Sequence, residues 1–156
     1  MFSCIFKEIT KQTSYLLVYE ILQLRIYTEG IVLYKTTKDS SKQENNILDG
    51  LSIIKGGQCV VKNPLDNFEV TTLVENDIFG ESKLFGIKGY DYFGDIIVKS
   101  EYVKIWFISQ KHIERIPKYD IAQIKMNCIR NESKIYQLLI KNKNKYDKKL
   151  TNKYTS

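Results

Sequence analysis

Short segments rich in β-branched and aromatic residues, separated by glycine, asparagine or proline turns, most restrict what this chain can fold into. They lie at residues 24–27, 31–34, 51–54, 58–61, 69–75, 96–98 and 103–108. Residues of these types favour pleated, half-buried strands, and strands this short and closely spaced are typical of antiparallel sheets. The sequence therefore predicts a mainly β fold, an antiparallel roll or sandwich, with helices at its end.

The residues after the last strand predict two helices. Ser109 is suited to cap a short helix that Pro117 ends, because a serine side chain accepts a backbone N–H bond at that position. Asp120 and Gln123 have the spacing of a capping box, and apolar residues at helical spacing extend from there to about residue 141. We therefore expect one amphipathic helix over residues 121–141.

Neighbouring aromatic residues near the end of the last strand belong to different faces of the predicted sheet. Trp106 and Phe107 are adjacent, and successive side chains of a strand point to opposite faces. We expect one of them in the core of the roll and the other against a helix.

The segments divide the chain into four parts. Residues 1–23 are an N-terminal lead-in with helical and strand-like patterns, and residues 24–108 form the β-roll. Residues 109–141 are the C-terminal helices, and residues 142–156 are a basic tail. With 156 residues, of which 43% are hydrophobic, the chain is long enough for one core and one domain.

The cysteine and hydrophobic patterns predict a cytoplasmic protein in a reducing environment. Cys4, Cys59 and Cys128 are odd in number and far apart, which favours neither a disulfide framework nor a zinc site. No run approaches the eighteen or so apolar residues of a membrane-spanning helix, so no transmembrane segment is expected.

The side chains that usually carry catalysis are sparse. His112 is the single histidine, so a metal site held by several histidines cannot be built. No nucleophile can be assigned a base and a supporting acid. We expect no catalytic residue, no metal and no cofactor, and hence a protein that is not an enzyme.

The residues after strand 69–75 carry a resemblance to a known family. Phe79-Gly80-Glu81 follows a strand and a tight turn, and it resembles the opening of the phosphate-binding cassette of cyclic nucleotide-binding domains. The turn at Gly30, the hairpin around Gly57 and the last strand running into a helix are also similar to that family. The resemblance covers roughly residues 20–140. It implies a jelly roll with one small N-terminal helix and two C-terminal helices.

The resemblance also implies a binding site in a cassette-like segment at residues 79–95. In such a cassette, backbone amides and one arginine hold the cyclic phosphate, and the glutamate accepts a hydrogen bond from the ribose 2′-hydroxyl. Gly80, Glu81, Ser82 and Lys83 are then the residues of the sugar–phosphate pocket. Gly30 and Gly57 are structural glycines of turns.

The chain departs from the family at the phosphate. Tyr92 stands at the position of the arginine, and Asp91 and Asp95 flank it. Losing such a charged pair costs roughly 2–5 kcal/mol, which corresponds to an affinity loss on the order of a hundredfold or more. Lys83 or Lys88 is a candidate substitute cation, although lysine offers a point charge instead of a fork.

Three functions follow as expectations. The leading one is a non-enzymatic regulatory or assembly module that contacts a protein partner, with weak or lost binding of cyclic nucleotides. The first alternative is a functional cAMP or cGMP sensor. The second is a basic adaptor that binds an anionic surface or RNA through the lysine-rich tail. The short stretch after the long helix is too small for a helix-turn-helix module, so DNA binding is not expected.

Overall fold

The computed structural model describes residues 4–35, 50–80 and 94–130. Its strands are β1 (Gln23–Thr28), β2 (Val32–Tyr34), β3 (Gly50–Gly56), β4 (Cys59–Lys62), β5 (Glu69–Leu73), β6 (Ile78–Phe79), β7 (Asp95–Val98) and β8 (Tyr102–Ser109). Its helices are α1 (Lys11–Leu16), α2 (Gln110–Ile113) and α3 (Lys118–Arg130), with a 3₁₀ turn at Cys4–Phe6 and a π-helical turn at Leu17–Ile21.

The strands form two antiparallel sheets of four strands each. One sheet has the order β1-β8-β3-β6 and the other has the order β2-β7-β4-β5. Consecutive strands therefore alternate between the sheets at several points, as the chain of an antiparallel roll does. The predicted fold class, mainly β with terminal helices in an antiparallel roll, is confirmed.

Two apolar cores hold these layers together. The inner core lies between the sheets and includes Leu33, Phe79 and Ile105, which are almost fully buried. The outer core lies between the β1-β8-β3-β6 sheet and the helical segments, and includes Leu17 and Ile124. Burying such side chains supplies most of the favourable free energy of folding.

The last strand shows the expected alternation between these two cores. Phe107 belongs to the inner core, whereas Trp106 packs against the outer core with the helices. The prediction of one aromatic residue in the core is confirmed for Phe107. The next residue but one, Ser109, caps α2 and accepts a bond from the His112 N–H at 3.3 Å.

The start of the long helix corrects the capping-box prediction. α3 begins at Lys118, so Asp120 lies inside its first turn and does not cap it. The Asp120 side chain instead accepts hydrogen bonds from Thr10 and Thr13, more than a hundred residues away along the chain. Residues 131–141, which complete the predicted helix, lie outside the described residues, as does the tail at 142–156.

In the ranges that the structure describes, no helix has both the length and the apolar composition needed to cross a membrane.

Candidate functional site

Gly80 lies directly after β6, at the edge of the β1-β8-β3-β6 sheet, and its backbone has φ +81°. A Cβ atom there would overlap the carbonyl oxygen of Gly50, at the start of β3. Only glycine combines this conformation with so close an approach of two backbones. Among the described residues, Gly80 therefore allows its own backbone to come close to the start of the neighbouring strand β3.

The other predicted ligand contacts lie outside the described residues. These are Glu81, Ser82, Lys83, Lys88 and Tyr92, and their roles remain predictions.

The described strands nevertheless fix where the cassette-like segment begins and returns. β6 leads into it through Phe79, which is 1% exposed, and β7 follows it with Ile96, which is also 1% exposed. Both side chains belong to the inner core. The two ends of the segment are therefore anchored on buried side chains of opposite sheets.

The two turn glycines differ in how much space surrounds them. Gly57 has φ +88°, and a Cβ there would overlap the carbonyl oxygen of Tyr102. Gly30 has a similar φ of +86°, but nothing lies within 4 Å of its Cβ position. At position 57, both the backbone conformation and the lack of space therefore require glycine.

A buried hydroxyl lies next to the strand that leads into the cassette-like segment. In β3, Ser52 is opposite Phe79 on one side and Phe107 on the other. Ser52 is 0% exposed, and its Oγ has no hydrogen-bond partner within the described part of the chain. Sequence reasoning did not single it out. The available signal was one hydroxyl within the apolar run at residues 51–54.

Neither arginine whose side chain the structure describes lies at Gly80. The Arg25 guanidinium is 5.4 Å from the centre of the Phe107 ring and donates to Gln23 Oε1 at 2.8 Å. β1 and β6 are at opposite edges of one sheet, and three strand spacings separate them by roughly 14 Å. Arg115 pairs with Glu20 at 2.5 Å at the helical end of the molecule.

That helical end carries a groove that the sequence did not indicate. Its volume is about 360 Å³, and Tyr15, Tyr19 and Pro117 are among its lining residues together with the Arg115–Glu20 pair. The two tyrosine rings stack with centroids 5.6 Å apart. They are 64% and 75% exposed, so a partner can reach them. The groove does not include Gly80.

Two buried ionisable groups have shifted pKa values. Burial by itself would raise the pKa of Asp120, but hydrogen bonds from the Thr13 hydroxyl, the Thr10 hydroxyl and the Thr10 backbone N–H outweigh it, and the pKa is lowered. Burial raises the pKa of Cys59 to about 12. Within the described ranges, no three His, Cys, Asp or Glu side chains come together as metal ligands.

Solved structures with the same architecture include regulatory subunits of protein kinase A and a putative cyclic nucleotide-binding protein from Geobacter metallireducens. The regulatory subunit of a cAMP-independent protein kinase A from Trypanosoma brucei is similar at a TM-score of 0.62 and 14% identity, over 90% of this chain and 46% of that chain. The Trypanosoma cruzi subunit bound to guanosine has a TM-score of 0.55 and 11% identity, over 72% and 35%. The CBD2 domain of PKAR bound to Sp-2Cl-cAMPS has a TM-score of 0.57 and 18% identity, over 88% and 82%.

These similarities establish the fold. The chain spans less than half of the two Trypanosoma subunits and about four fifths of the PKAR domain. No protein-family model and no curated protein matches the sequence. The expectation of a cyclic nucleotide-binding fold, made from Phe79-Gly80-Glu81 and the glycine turns, is confirmed at the level of the fold.

Proposed function

We propose that this chain is a non-enzymatic regulatory or assembly module in which binding of cAMP and cGMP is weak or lost. The observation that carries the proposal is the placement of the two arginines whose side chains the structure describes. Arg25 is held against Phe107 and Gln23, and Arg115 is paired with Glu20. Neither lies at Gly80, where it could replace the arginine of the family. By the resemblance, Tyr92 occupies the position of that arginine.

The loss of affinity for cyclic nucleotides follows from the chemistry of a cyclic phosphate. The phosphate is a monoanion that arginine binds through two parallel hydrogen bonds, and lysine provides only a point charge. Asp95, at the start of β7, adds a carboxylate close to where the segment returns to the sheet. A cyclic nucleotide at this site therefore lacks the two parallel hydrogen bonds of an arginine, even where Lys83 or Lys88 supplies a positive charge.

The second half of the proposal, contact with a protein partner, is supported by the helical end. Stacked, exposed Tyr15 and Tyr19 line a groove of about 360 Å³. Tyrosine is enriched in protein interfaces because it buries a large apolar ring and keeps a polar tip. Regulatory subunits of protein kinase A are among the structures similar to this chain.

A purine nucleoside is a second candidate ligand. One of the similar regulatory subunits is bound to guanosine, and guanosine has no phosphate. A site with Tyr92 in place of arginine loses affinity for a phosphate but not for a ribose or a base. Glu81 would then hold the ribose hydroxyls as in the resemblance.

Calorimetric titration with cAMP, cGMP and guanosine tests both candidates. The wild-type chain is expected to show no binding of either cyclic nucleotide below millimolar concentrations. Tyr92→Arg is expected to strengthen cyclic nucleotide binding by roughly a hundredfold, the reverse of the loss attributed to the missing pair. Glu75→Ala is the control, because Glu75 is an exposed carboxylate six positions before Glu81.

Each result separates the candidates. Micromolar binding of cAMP or cGMP by the wild type, abolished by Glu81→Ala but not by Glu75→Ala, would establish a functional sensor and overturn the proposal. Guanosine binding with the same dependence on Glu81 would establish the nucleoside site. If Tyr92→Arg folds and gains nothing, the assignment of Tyr92 to the phosphate position is wrong.

A further inference from the structure

Two walls form the groove at the helical end, and contacts between them hold both in place. One wall is α1 with the π-helical turn that follows it, and the other is the connection at residues 115–117, just before α3. The Arg115–Glu20 pair joins the two walls at the surface. Below it, the buried hydrogen bond from the Thr13 hydroxyl to Asp120 joins α1 to α3. The walls are therefore ordered before a ligand arrives, which lowers the entropy cost of binding.

The apolar surface of the groove comes largely from two aromatic rings. Tyr15 and Tyr19 are four positions apart, and the planes of their rings differ by only 18°. Leu16 and Pro117 line the groove beside them, together with the amide side chain of Gln12. A tyrosine ring offers a flat apolar face, and its hydroxyl donates a hydrogen bond, as the glutamine amide does. An occupant thus meets apolar faces bordered by hydrogen-bond donors.

The charged groups of the groove neutralise each other. Arg115 and Glu20 pair at 2.5 Å, and the other described residues that line the groove carry no charge. A phosphate or a free carboxylate would have to displace Glu20 before it could bind Arg115 through charged hydrogen bonds. The groove therefore complements an occupant without charge, and an acidic or phosphorylated peptide does not fit it.

Two other common forms of peptide recognition do not match these walls. Addition of a strand requires a free sheet edge, whereas helical segments and a connection form this groove. An amphipathic helix requires a row of apolar contacts at helical spacing, whereas Leu16 and Pro117 are the only aliphatic side chains among the described lining residues. Proline-rich segments, by contrast, bind aromatic-lined grooves in the polyproline II conformation.

We propose that the groove binds an uncharged, proline-rich segment of a protein partner in the polyproline II conformation. This inference rests on the proposed function, because it specifies the partner that the helical end contacts. Proline rings pack on the faces of Tyr15 and Tyr19. The carbonyl groups of such a segment have no internal hydrogen bonds, so they accept bonds from the tyrosine hydroxyls and from Gln12. The segment is already extended before it binds, so little conformational entropy is lost.

Titration of the full chain with decaproline, followed by NMR of the backbone amides, tests the proposal. Saturable shifts are expected at residues 12–20 and 115–117, but not at Gly80. The matched ligand is the same peptide made of D-proline, which has an identical composition and forms a helix of the opposite hand. It is expected to bind about tenfold more weakly or not at all.

Variants test which surface binds the peptide. Tyr15→Ala and Tyr19→Ala each remove one ring and are expected to weaken decaproline binding about tenfold to a hundredfold. Tyr119→Ala is the matched control, because Tyr119 is 61% exposed on α3 and is not among the residues that line the groove. Its affinity for decaproline should equal that of the wild type. Thermal unfolding checks that all three variants remain folded.

Several outcomes overturn the proposal. They are the absence of shifts at millimolar decaproline, equal binding of the two mirror-image peptides, and tyrosine variants that bind as the wild type does. An amphipathic helical peptide of leucine and lysine that shifts the groove amides at lower concentration than decaproline would assign the groove to a helix instead. Shifts of the same amides that depend on protein concentration alone would assign it to a second copy of the chain.

The inference and the proposed function fail in different ways. Micromolar binding of cAMP or cGMP, seen at the Gly80 amide, would overturn the proposed function whatever decaproline does. Failure of decaproline to bind, with cyclic nucleotides also not bound below millimolar concentrations, would overturn only the proline-rich partner.

Discussion

The inner core of the roll and the helical end of the molecule are stabilised in different ways. Between the sheets, buried residues such as Leu33, Val61 and Phe79 fill space with apolar side chains. The outer core at the helical end is also apolar, but polar side chains are buried there as well. Asp120 and Asn127, on α3, are 2% and 4% exposed.

These polar side chains connect the two ends of the described chain. Asn127 Nδ2 donates to the carbonyl oxygens of Ile5 and Lys7, at 3.0 and 2.7 Å. The Asp120 carboxylate accepts bonds from the backbone N–H and the hydroxyl of Thr10, at 3.1 and 2.7 Å. Hydrogen bonds depend on direction as well as distance, so they fix how α3 sits against the N-terminal segment. Apolar packing in the roll fixes volume instead.

The largest effect is expected where the roll brings two backbones together. Gly80→Ala should lower the free energy of unfolding by about 2–5 kcal/mol, because it adds strain at positive φ and overlap with Gly50. Gly30→Ala has nearly the same φ but open space, so about 1–2 kcal/mol is expected. Urea unfolding measures both. Equal losses in the two variants would show that the contact with Gly50 contributes nothing.

The strands were predictable from local sequence because their signals are local. β-branched runs ended by turns such as Gly30 and Gly57 mark β1 to β5, β7 and β8 within a few residues. β6 was not predicted as a strand. It has only two residues, Ile78–Phe79, and its pairing with β3 depends on residues far away in the chain.

The candidate site was less predictable for the same physical reason. The motif at Gly80 could be seen, but its contact with Gly50 depends on how β6 meets β3. Asp120 has a local capping pattern, yet its carboxylate accepts hydrogen bonds from Thr10 and Thr13. These threonines are more than a hundred residues away in the sequence, so a local pattern cannot reveal them. Likewise, only the strand order shows that Arg25, on β1, lies at the sheet edge opposite to β6.

The next largest effect is expected at the helical end. Asp120→Ala should cost about 2–4 kcal/mol, because it leaves the buried Thr13 hydroxyl and the Thr10 groups without their charged acceptor. Asp66→Ala is the control, since the exposed Asp66 carboxylate accepts one bond, from the Phe68 N–H at 2.9 Å. Thermal and urea unfolding measure the difference. Similar losses in both variants would contradict the role of the buried network.

The same carboxylate predicts how the helical end responds to acid. The pKa of Asp120 is lowered from 3.8 on folding, so the ionised group stabilises the fold above that value. This stability is lost as the pH falls through the lowered pKa of the folded state. Asp120→Asn should therefore flatten the acid side of the stability profile, measured by urea unfolding between neutral pH and the acid transition. An unchanged slope would contradict the prediction.

The roll should respond at the opposite end of the pH scale. Cys59, in β4 between Leu73 and Val98, is 0% exposed, and its pKa is raised from 9.0 to about 12. Ionisation in the unfolded chain then favours unfolding. The stability that the neutral thiol provides is complete below pH 9.0 and is lost as the pH rises toward about 12.

Cys59→Ala isolates this contribution and is the smallest effect expected at neutral pH. The small cavity should cost about 1 kcal/mol at pH 7. Above pH 9.0 the wild type should lose stability relative to the variant by about 1 kcal/mol per pH unit, so the difference shrinks and then reverses. Tyrosine and lysine ionisation is common to both proteins and cancels in the comparison. Parallel stability curves between pH 7 and 11 would mean that the Cys59 thiol ionises as readily in the roll as in the unfolded chain. The inner core would then admit water where its packing indicates that it excludes it.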